Sequence, residues 1–303
     1  IGYWGDHQII YLEKLLELSN HFHPDKLDYL LTSKIFTYAN VPYRIKSYDK
    51  IYNDPKNTVV FDDELNTKIK TETVHLGADA KLLKNKTGEK TYKVNLTEKI
   101  LATLLSKLSN FIPEAGIWMN TQRPEWNDAN NALVGNGTSM VTLYSIRRFL
   151  KFSAEIAELF ENIQGFLTDN ISLTKTGFTD IDRKKFADHL GNAHSSYRNQ
   201  IYLHSFSDET KEINVQSLVD FFRTCLKYMD QSIAANKRKD GLYHAYNLIS
   251  LTNESIKIRN LYEMLEGQVA VLSSGFLSTT ECLEVLDALK NSKIYRADQY
   301  SYM

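Results

Sequence analysis

The sequence is short of cysteine, of net charge and of long apolar runs, and each shortage excludes a class of protein. Only Cys225 and Cys282 occur, and without a CxxC or HExxH motif the sequence indicates no zinc site built from protein ligands. Both thiols lie in helix-like contexts, which favours buried reduced cysteines over a disulfide or a nucleophile. The 36 basic residues balance 37 acidic ones, which argues against binding nucleic acid by phosphate neutralisation. No run of about 18 apolar residues occurs, so we expect no membrane-spanning helix.

The composition is that of an ordinary globular protein. With 43% hydrophobic and 24% charged residues, long disorder, collagen and coiled coil are poor interpretations. The length of 303 residues allows two domains, but we expect one domain over 1–303. The chain begins without Met and ends in an aromatic-rich tail, so we expect a segment of a longer protein. A missing signal peptide then says nothing about location. The sequence leaves the compartment unknown and slightly favours the cytoplasm.

Apolar residues recur at helical spacing along most of the chain. Asn95 with Glu98, and Ser278 with Glu281, have the spacing of an N-cap and its capping-box partner. The pattern predicts about eight or nine helices. The predicted helices include 7–20, 24–36, 96–112, 138–163, 180–204, 215–236, 257–273 and 278–290.

Residues 40–94 interrupt this pattern and predict an insertion with irregular or β structure. Turn-forming residues separate Thr58–Phe61 from Thr91–Val94, which we expect to pair as short strands. An insertion of this length between helices is usually functional or a lid. No TPR-like or HEAT-like repeat is present, although long antiparallel helices leave a solenoid open.

The loop from 113 to 137 carries the densest set of polar and aromatic residues. Such a loop suits a sugar, because Asn, Asp, Glu and Arg bind hydroxyl groups while the sugar's C–H face stacks on an aromatic ring. Alternatively, the loop caps helix ends with its own Asn and Asp side chains. The loop contains Glu114, Trp118, Arg123, Glu125, Trp126, Asn127 and Asp128. We expect Arg123, Glu125 and Asn127 to contact the substrate.

The run Pro124-Glu-Trp-Asn-Asp-Ala-Asn-Asn-Ala-Leu-Val-Gly135 resembles the Trp-Asn-Asp segment of the cellobiose and chitobiose phosphorylases. The resemblance covers about 40 residues. It implies an all-α, (α/α)6 toroid and an inverting mechanism. It also implies that Asp128 is the general acid and that Trp126 lines the sugar site. Glu125 stands where the family usually has Asp.

A second, weaker resemblance lies at the start of the chain. Gly2-Tyr-Trp-Gly-Asp-His-Gln8 is similar to the family's Arg-Asp plus Gln segment, which binds the sugar at the cleaved bond. The resemblance implies that Asp6 and Gln8 bind substrate. The family's Arg is replaced by Gly5, which favours a change of substrate or mechanism.

Inversion requires a protonated acid at the leaving oxygen and a nucleophile on the opposite face. The Trp126 ring beside Asp128 would raise the pKa of that carboxyl, as a general acid near neutral pH requires. Glu266 interrupts an apolar segment, and in glucoamylase-like relatives a Glu near a late helix start acts as the base. Alternatively, Glu266 caps a helix or pairs with Arg259 or Arg296.

The segment Asp240–Asn247 resembles the rim of a sugar site through Tyr243 and His244, with His244 also a candidate phosphate contact. A lone histidine is more often structural. The sequence thus predicts cleavage of an oligosaccharide or disaccharide by hydrolysis or phosphorolysis. It predicts no metal and no cofactor, with inorganic phosphate as co-substrate for a phosphorylase. The alternatives are a non-catalytic carbohydrate-binding or scaffold module that keeps the toroid fold, and a helical-repeat interaction protein unrelated to sugars. The enzyme prediction requires the loops 2–8, 113–137, 240–250 and 262–275 to converge at one end of a helical ring.

Overall fold

A five-stranded antiparallel sheet stands at the centre of the helices, so the predicted all-α toroid is wrong. The structure, a computed structural model, describes residues 6–120, 128–152, 166–204 and 214–303. In these ranges the sheet curls and has the order β5-β6-β7-β8-β9. Within the same ranges, no helix has the length and apolar character needed to cross a membrane.

The described helices vary from single turns to long rods. Their bounds are α1 Asp6–Phe22, α2 Pro24–Thr32, α3 Tyr48–Asn53, α4 Asp63–Leu76, α5 Leu96–Leu108, α6 Asp128–Leu133, α7 Met140–Phe152, α8 Leu173–Thr176, α9 Asp180–His204, α10 Val215–Ala235, α11 Leu265–Ser273 and α12 Thr279–Lys290.

The strands are short, and most of them span two or three residues. Their bounds are β1 Phe36–Thr37, β2 Tyr43–Ile45, β3 Val59–Phe61, β4 Lys93–Val94, β5 Phe111–Ile112, β6 Gly116–Trp118, β7 Gly137–Ser139, β8 Tyr246–Leu251, β9 Ile256–Asn260, β10 Tyr295–Arg296 and β11 Ser301–Tyr302. Outside the central sheet, strands pair as β1 with β4, β2 with β3, and β10 with β11.

Several helix ends form where the local sequence predicts them. The Asn95 side chain accepts a 2.8 Å hydrogen bond from the Glu98 amide at the start of α5. Ser278 and Glu281 form a complete capping box at the start of α12. Each cap satisfies an amide that the first helical turn leaves without a partner. Both cysteines are free thiols, as predicted, and Cys225 is buried, but Cys282 is only partly buried.

Four predicted boundaries are wrong because short strands occupy the ends of the expected helices. Phe36 lies in β1, so α2 ends at Thr32. Ile112 lies in β5, so α5 ends at Leu108. The helix expected from 138 begins at Met140, after strand β7. The helix expected over 257–273 divides into strand β9 and helix α11. A strand of two to five residues is too short to establish a period of two in the sequence.

The segment 40–94 does contain β structure, but the predicted pairing is wrong. Strand β3 pairs with β2, with Arg44 opposite Val60. Strand β4 pairs with β1 instead, with Phe36 opposite Val94. The two predicted strands therefore belong to different small sheets, and helix α4 lies between them along the chain.

The main hydrophobic core joins the helices to the face of the sheet. Helix α7 is central, because it packs against α1, α10, α11 and β6. Leu143, Tyr144 and Ile146 of α7 are each 0% exposed. Burying large apolar side chains of this kind stabilises the fold by about 1.5–3 kcal/mol each. Helix α7 therefore connects α1 mechanically to the sheet.

Gly116 marks the closest approach of two strands in the sheet. Its φ is +118°, and a Cβ at this position would lie 2.8 Å from the Ser139 carbonyl oxygen of β7. Both the backbone conformation and the contact therefore require glycine. Gly88 also has a positive φ, +77°, but a Cβ there would meet nothing within 4 Å.

We expect Gly116→Ala to destabilise the protein by about 3 kcal/mol or more, since it adds a backbone collision to an unfavourable φ. The control Gly88→Ala keeps only the φ penalty and should cost about 1 kcal/mol. Urea unfolding of both variants measures the difference. Equal losses would show that β6 and β7 do not approach as described.

Candidate functional site

The loop that carries Asp128 connects two neighbouring strands, β6 and β7, and its ends are fixed to the sheet. The Met119 amide donates to Gly137 (3.0 Å), and the Gly135 amide donates to Met119 (2.6 Å). The indole Nε1 of Trp118 donates to the Gly135 carbonyl at 2.8 Å. Trp118 is 3% exposed, so this tryptophan closes the base of the loop.

Asp128 is the first residue of the short helix α6, between the two clamped ends. The Asp128 side chain lies outside the described part of the structure. The other predicted substrate contacts in this loop, Arg123, Glu125, Trp126 and Asn127, lie outside the described residues altogether. Asp6 and Gln8 lie in the first turn of α1, and their side chains are likewise not described.

Glu266 lies beside the next strand of the same sheet. It is in the first turn of α11, and its Oε2 accepts a 2.8 Å hydrogen bond from the Tyr246 hydroxyl. Tyr246 is the first residue of β8 and lies opposite Ser139 of β7. The described parts of 113–137 therefore come together with 240–250 and 262–275 around β6, β7, β8 and α11. They meet at a sheet and not at one end of a helical ring, so this contact does not confirm the predicted convergence.

Tyr243 belongs to the core and not to an open rim. Its side chain is 2% exposed, and burial raises the pKa of its hydroxyl to about 12. Gln268 holds the backbone of Tyr243 from both sides, because it accepts from the Tyr243 amide and donates to its carbonyl, each at 2.8 Å. The polar Gln268 in an apolar helix is explained by these bonds.

His244 is half-buried at the entrance to β8. Burial lowers the pKa of His244, and the positive charge of Arg238 lowers it further, while a backbone hydrogen bond to Leu261 and the charge of Asp240 oppose the shift. The ring is therefore neutral at pH 7. A neutral ring cannot hold a phosphate by charge, which favours the structural interpretation of His244.

Arg296 and Asp298 pair with each other at the surface. The Nε and Nη2 atoms of Arg296 donate to the two carboxylate oxygens of Asp298 at 2.8 and 2.6 Å. Each of the two charges therefore has its partner two residues away in the sequence, and neither needs a substrate to balance it.

Glu114 is the centre of a hydrogen-bond network that the sequence did not predict. Its carboxylate forms an ion pair with Arg183 of α9 and accepts from Gln231 Nε2 of α10 at 2.8 Å and from the Phe178 amide at 3.2 Å. The side chains of Glu114 and Arg183 are 15% and 11% exposed. Glu114 also has a φ of +62°, which is uncommon outside glycine. A largely buried carboxylate whose two oxygens both accept hydrogen bonds in this way has a structural role.

The Glu114 backbone continues this network into the sheet. Its carbonyl accepts from Asn236 Nδ2 at 2.7 Å, and Asn236 Oδ1 accepts from Asn247 Nδ2 at 2.9 Å. Asn247 Oδ1 in turn accepts from Asn260 Nδ2 at 2.8 Å. These amides join β8 and β9 to the turn between β5 and β6. In the sequence, the only signal is an acid followed by Ala-Gly, Glu114-Ala-Gly116, which indicates a turn. This signal does not show which residues Glu114 binds.

Among the described residues, no group of three or more His, Cys, Asp or Glu side chains is arranged to hold a metal ion. Comparison of the chain with models of known families and with curated proteins found no match.

We expect Glu114→Gln to reduce the free energy of unfolding by about 1–3 kcal/mol, because the largely buried Arg183 guanidinium then keeps only Asp180 as its counter-charge among the described residues. The control is Asp298→Asn, which breaks an exposed ion pair and should leave the melting temperature unchanged. Thermal and urea unfolding of both variants give the comparison. A Glu114→Gln variant as stable as the Asp298→Asn control would remove Glu114 from its central position.

Proposed function

We propose that the chain cleaves a glycosidic bond with inversion, by hydrolysis or phosphorolysis, and that Asp128 is the general acid. The observation that carries the proposal is the run from Pro124 to Gly135, which combines Trp126 and Asp128 with several side-chain amides. These are the groups that stack on a sugar ring, bind its hydroxyls and protonate its leaving oxygen. The proposal rests on the chemistry of these groups, because the all-α toroid that the resemblance implies is wrong.

The attachment of this loop to the sheet supports the proposal. A general acid must stay within hydrogen-bond reach of its substrate oxygen, and a mobile loop holds it poorly. The Met119–Gly137 and Trp118–Gly135 hydrogen bonds fix both ends of the loop to β6 and β7. Asp128 therefore begins α6 within the connection between two paired strands, and the ends of this connection are fixed to the sheet.

Glu266 is our candidate for the catalytic base that acts opposite the general acid. It reaches the same part of the molecule from α11, and the Tyr246 hydroxyl orients its carboxylate. In a hydrolase, Glu266 would deprotonate the attacking water. In a phosphorylase, inorganic phosphate would replace that water, and the inverting displacement would need no second carboxylate.

A non-catalytic carbohydrate-binding module is the second candidate. Gly5 stands where the resemblance implies the arginine that helps to bind the sugar at the cleaved bond. Loss of that contact would weaken catalysis more than it weakens binding to the aromatic and amide groups of the loop.

The test measures sugar release from a panel of disaccharides, with and without inorganic phosphate, for the wild type and for Asp128→Asn. We expect the variant to lose at least about 100-fold in kcat, since a general acid contributes 10²–10⁴-fold. The control is Asp54→Asn, an exposed aspartate at the end of α3 that should retain wild-type turnover.

The outcomes separate the candidates. Turnover that requires phosphate identifies a phosphorylase, and turnover without it identifies a hydrolase. Full activity of Asp128→Asn would remove Asp128 as the acid. Sugar binding by calorimetry without any turnover would support the binding module instead.

A further inference from the structure

The contact between α1 and α7 sets two carboxylates against one guanidinium. Glu13 and Glu17 lie four residues apart on one face of α1, and Arg148 comes from α7. One edge of the guanidinium faces Glu17, because Arg148 Nε donates to Glu17 Oε1 at 2.9 Å and Nη2 donates to Oε2. Nη1 donates to the Ser273 carbonyl at 3.3 Å. These bonds use three of the five N–H donors of Arg148, and none of them goes to Glu13.

Glu13 is buried beside this pair, and one of its two carboxylate oxygens, Oε1, lacks a hydrogen bond to the described residues. Its residue exposure is 1%. Its Oε1 lies 3.2 Å from Arg148 Nε, within ion-pair distance, but that nitrogen donates to Glu17. Oε1 has no hydrogen-bond partner among the described residues. An ionised, unbonded carboxylate in such a place is costly, whereas a protonated one is neutral.

We propose that Glu13, Glu17 and Arg148 form a proton-linked latch, in which a proton on Glu13 lets α1 dock firmly on α7. When Glu13 gives up this proton to solvent, two negative charges face one positive charge, and α1 loosens. The device would regulate how α1 is attached to the rest of the molecule.

The direction of the pH dependence follows from the environment of Glu13. Burial raises the pKa of Glu13 from 4.5 to about 7, Arg148 opposes the rise, Glu17 adds to it, and Lys14 opposes it. These are the charges that act on Glu13 from its own helix and from α7. With α1 undocked, the carboxyl returns to its ordinary pKa. Docking is therefore strongest below pH 4.5 and weakens as pH rises, by about tenfold per pH unit, until about pH 7.

This latch would also affect the sugar site. Helix α1 begins with Asp6 and Gln8, so a loosened α1 would hold those side chains less firmly. Only this consequence rests on the proposed function. The docking of α1 is measured without any sugar, so the latch and the proposed function fail separately.

Hydrogen–deuterium exchange of the amides in α1, corrected for intrinsic exchange rates, tests the proposal at pH 5 and pH 7.5. In the wild type, we expect protection of α1 to fall at least about tenfold more than protection of α5, the internal reference. The variant Glu13→Gln is neutral at both pH values and should remove this extra fall. The control Glu284→Gln changes an exposed glutamate on α12 and should behave as the wild type.

A second variant keeps the test decisive if Glu13→Gln does not fold. In Glu17→Gln, Arg148 becomes free to bind ionised Glu13. The extra fall in the protection of α1 between pH 5 and pH 7.5 should then vanish, because ionised Glu13 has a counter-charge. Equal protection of wild-type α1 at both pH values would overturn the latch. So would an extra fall in Glu13→Gln as large as that of the wild type.

Discussion

The ion pair between Glu114 and Arg183 is the interaction on which the rest of the structure depends. It lies in the turn between β5 and β6, where α9, α10 and the sheet meet, and the bonds from Gln231 and Phe178 satisfy the carboxylate further. Removing a buried charge from water is costly, so the pair is stable only because these additional donors surround it. The same turn positions Gly116 against β7. Once β6 and β7 are fixed, the ends of the loop that carries Asp128 are fixed as well.

The polar network explains how a sheet of very short strands holds together. Strands of two or three residues contribute few ladder hydrogen bonds, and a small sheet needs further support to be stable. Asn236 and Asn247 supply that support from side chains, since they tie the turn to β8. Helix α7 supplies the apolar support of the sheet, because it packs on β6. The same helix carries Arg148, which forms the ion pair with Glu17 of α1. Polar and apolar contacts thus connect the site region and the α1 latch through one helix.

Local features of the fold were predictable from the sequence, and distant pairings were not. The capping box at Ser278 and the long α9 depend on residues within a few positions of each other. The sheet depends on β7 meeting β8, where Thr138 pairs with Asn247, and no local pattern encodes that contact. The same limit applies to the site. Sequence composition identified an acid-rich loop, but it could not show that Glu114 already has Arg183 as its partner. It also could not show that Tyr243, in a loop rich in polar residues, turns its ring into the core.

The central claim is that the segment around Asp128 performs an inverting cleavage of a glycosidic bond, with Glu266 or phosphate supplying the opposite face. Proton NMR of the first-formed sugar product, recorded before mutarotation on the disaccharides of the panel, tests this claim most directly. The account predicts that the released sugar or sugar phosphate has the opposite anomeric configuration to the substrate bond. Retention of configuration, or no cleavage of any disaccharide with or without phosphate, would contradict it.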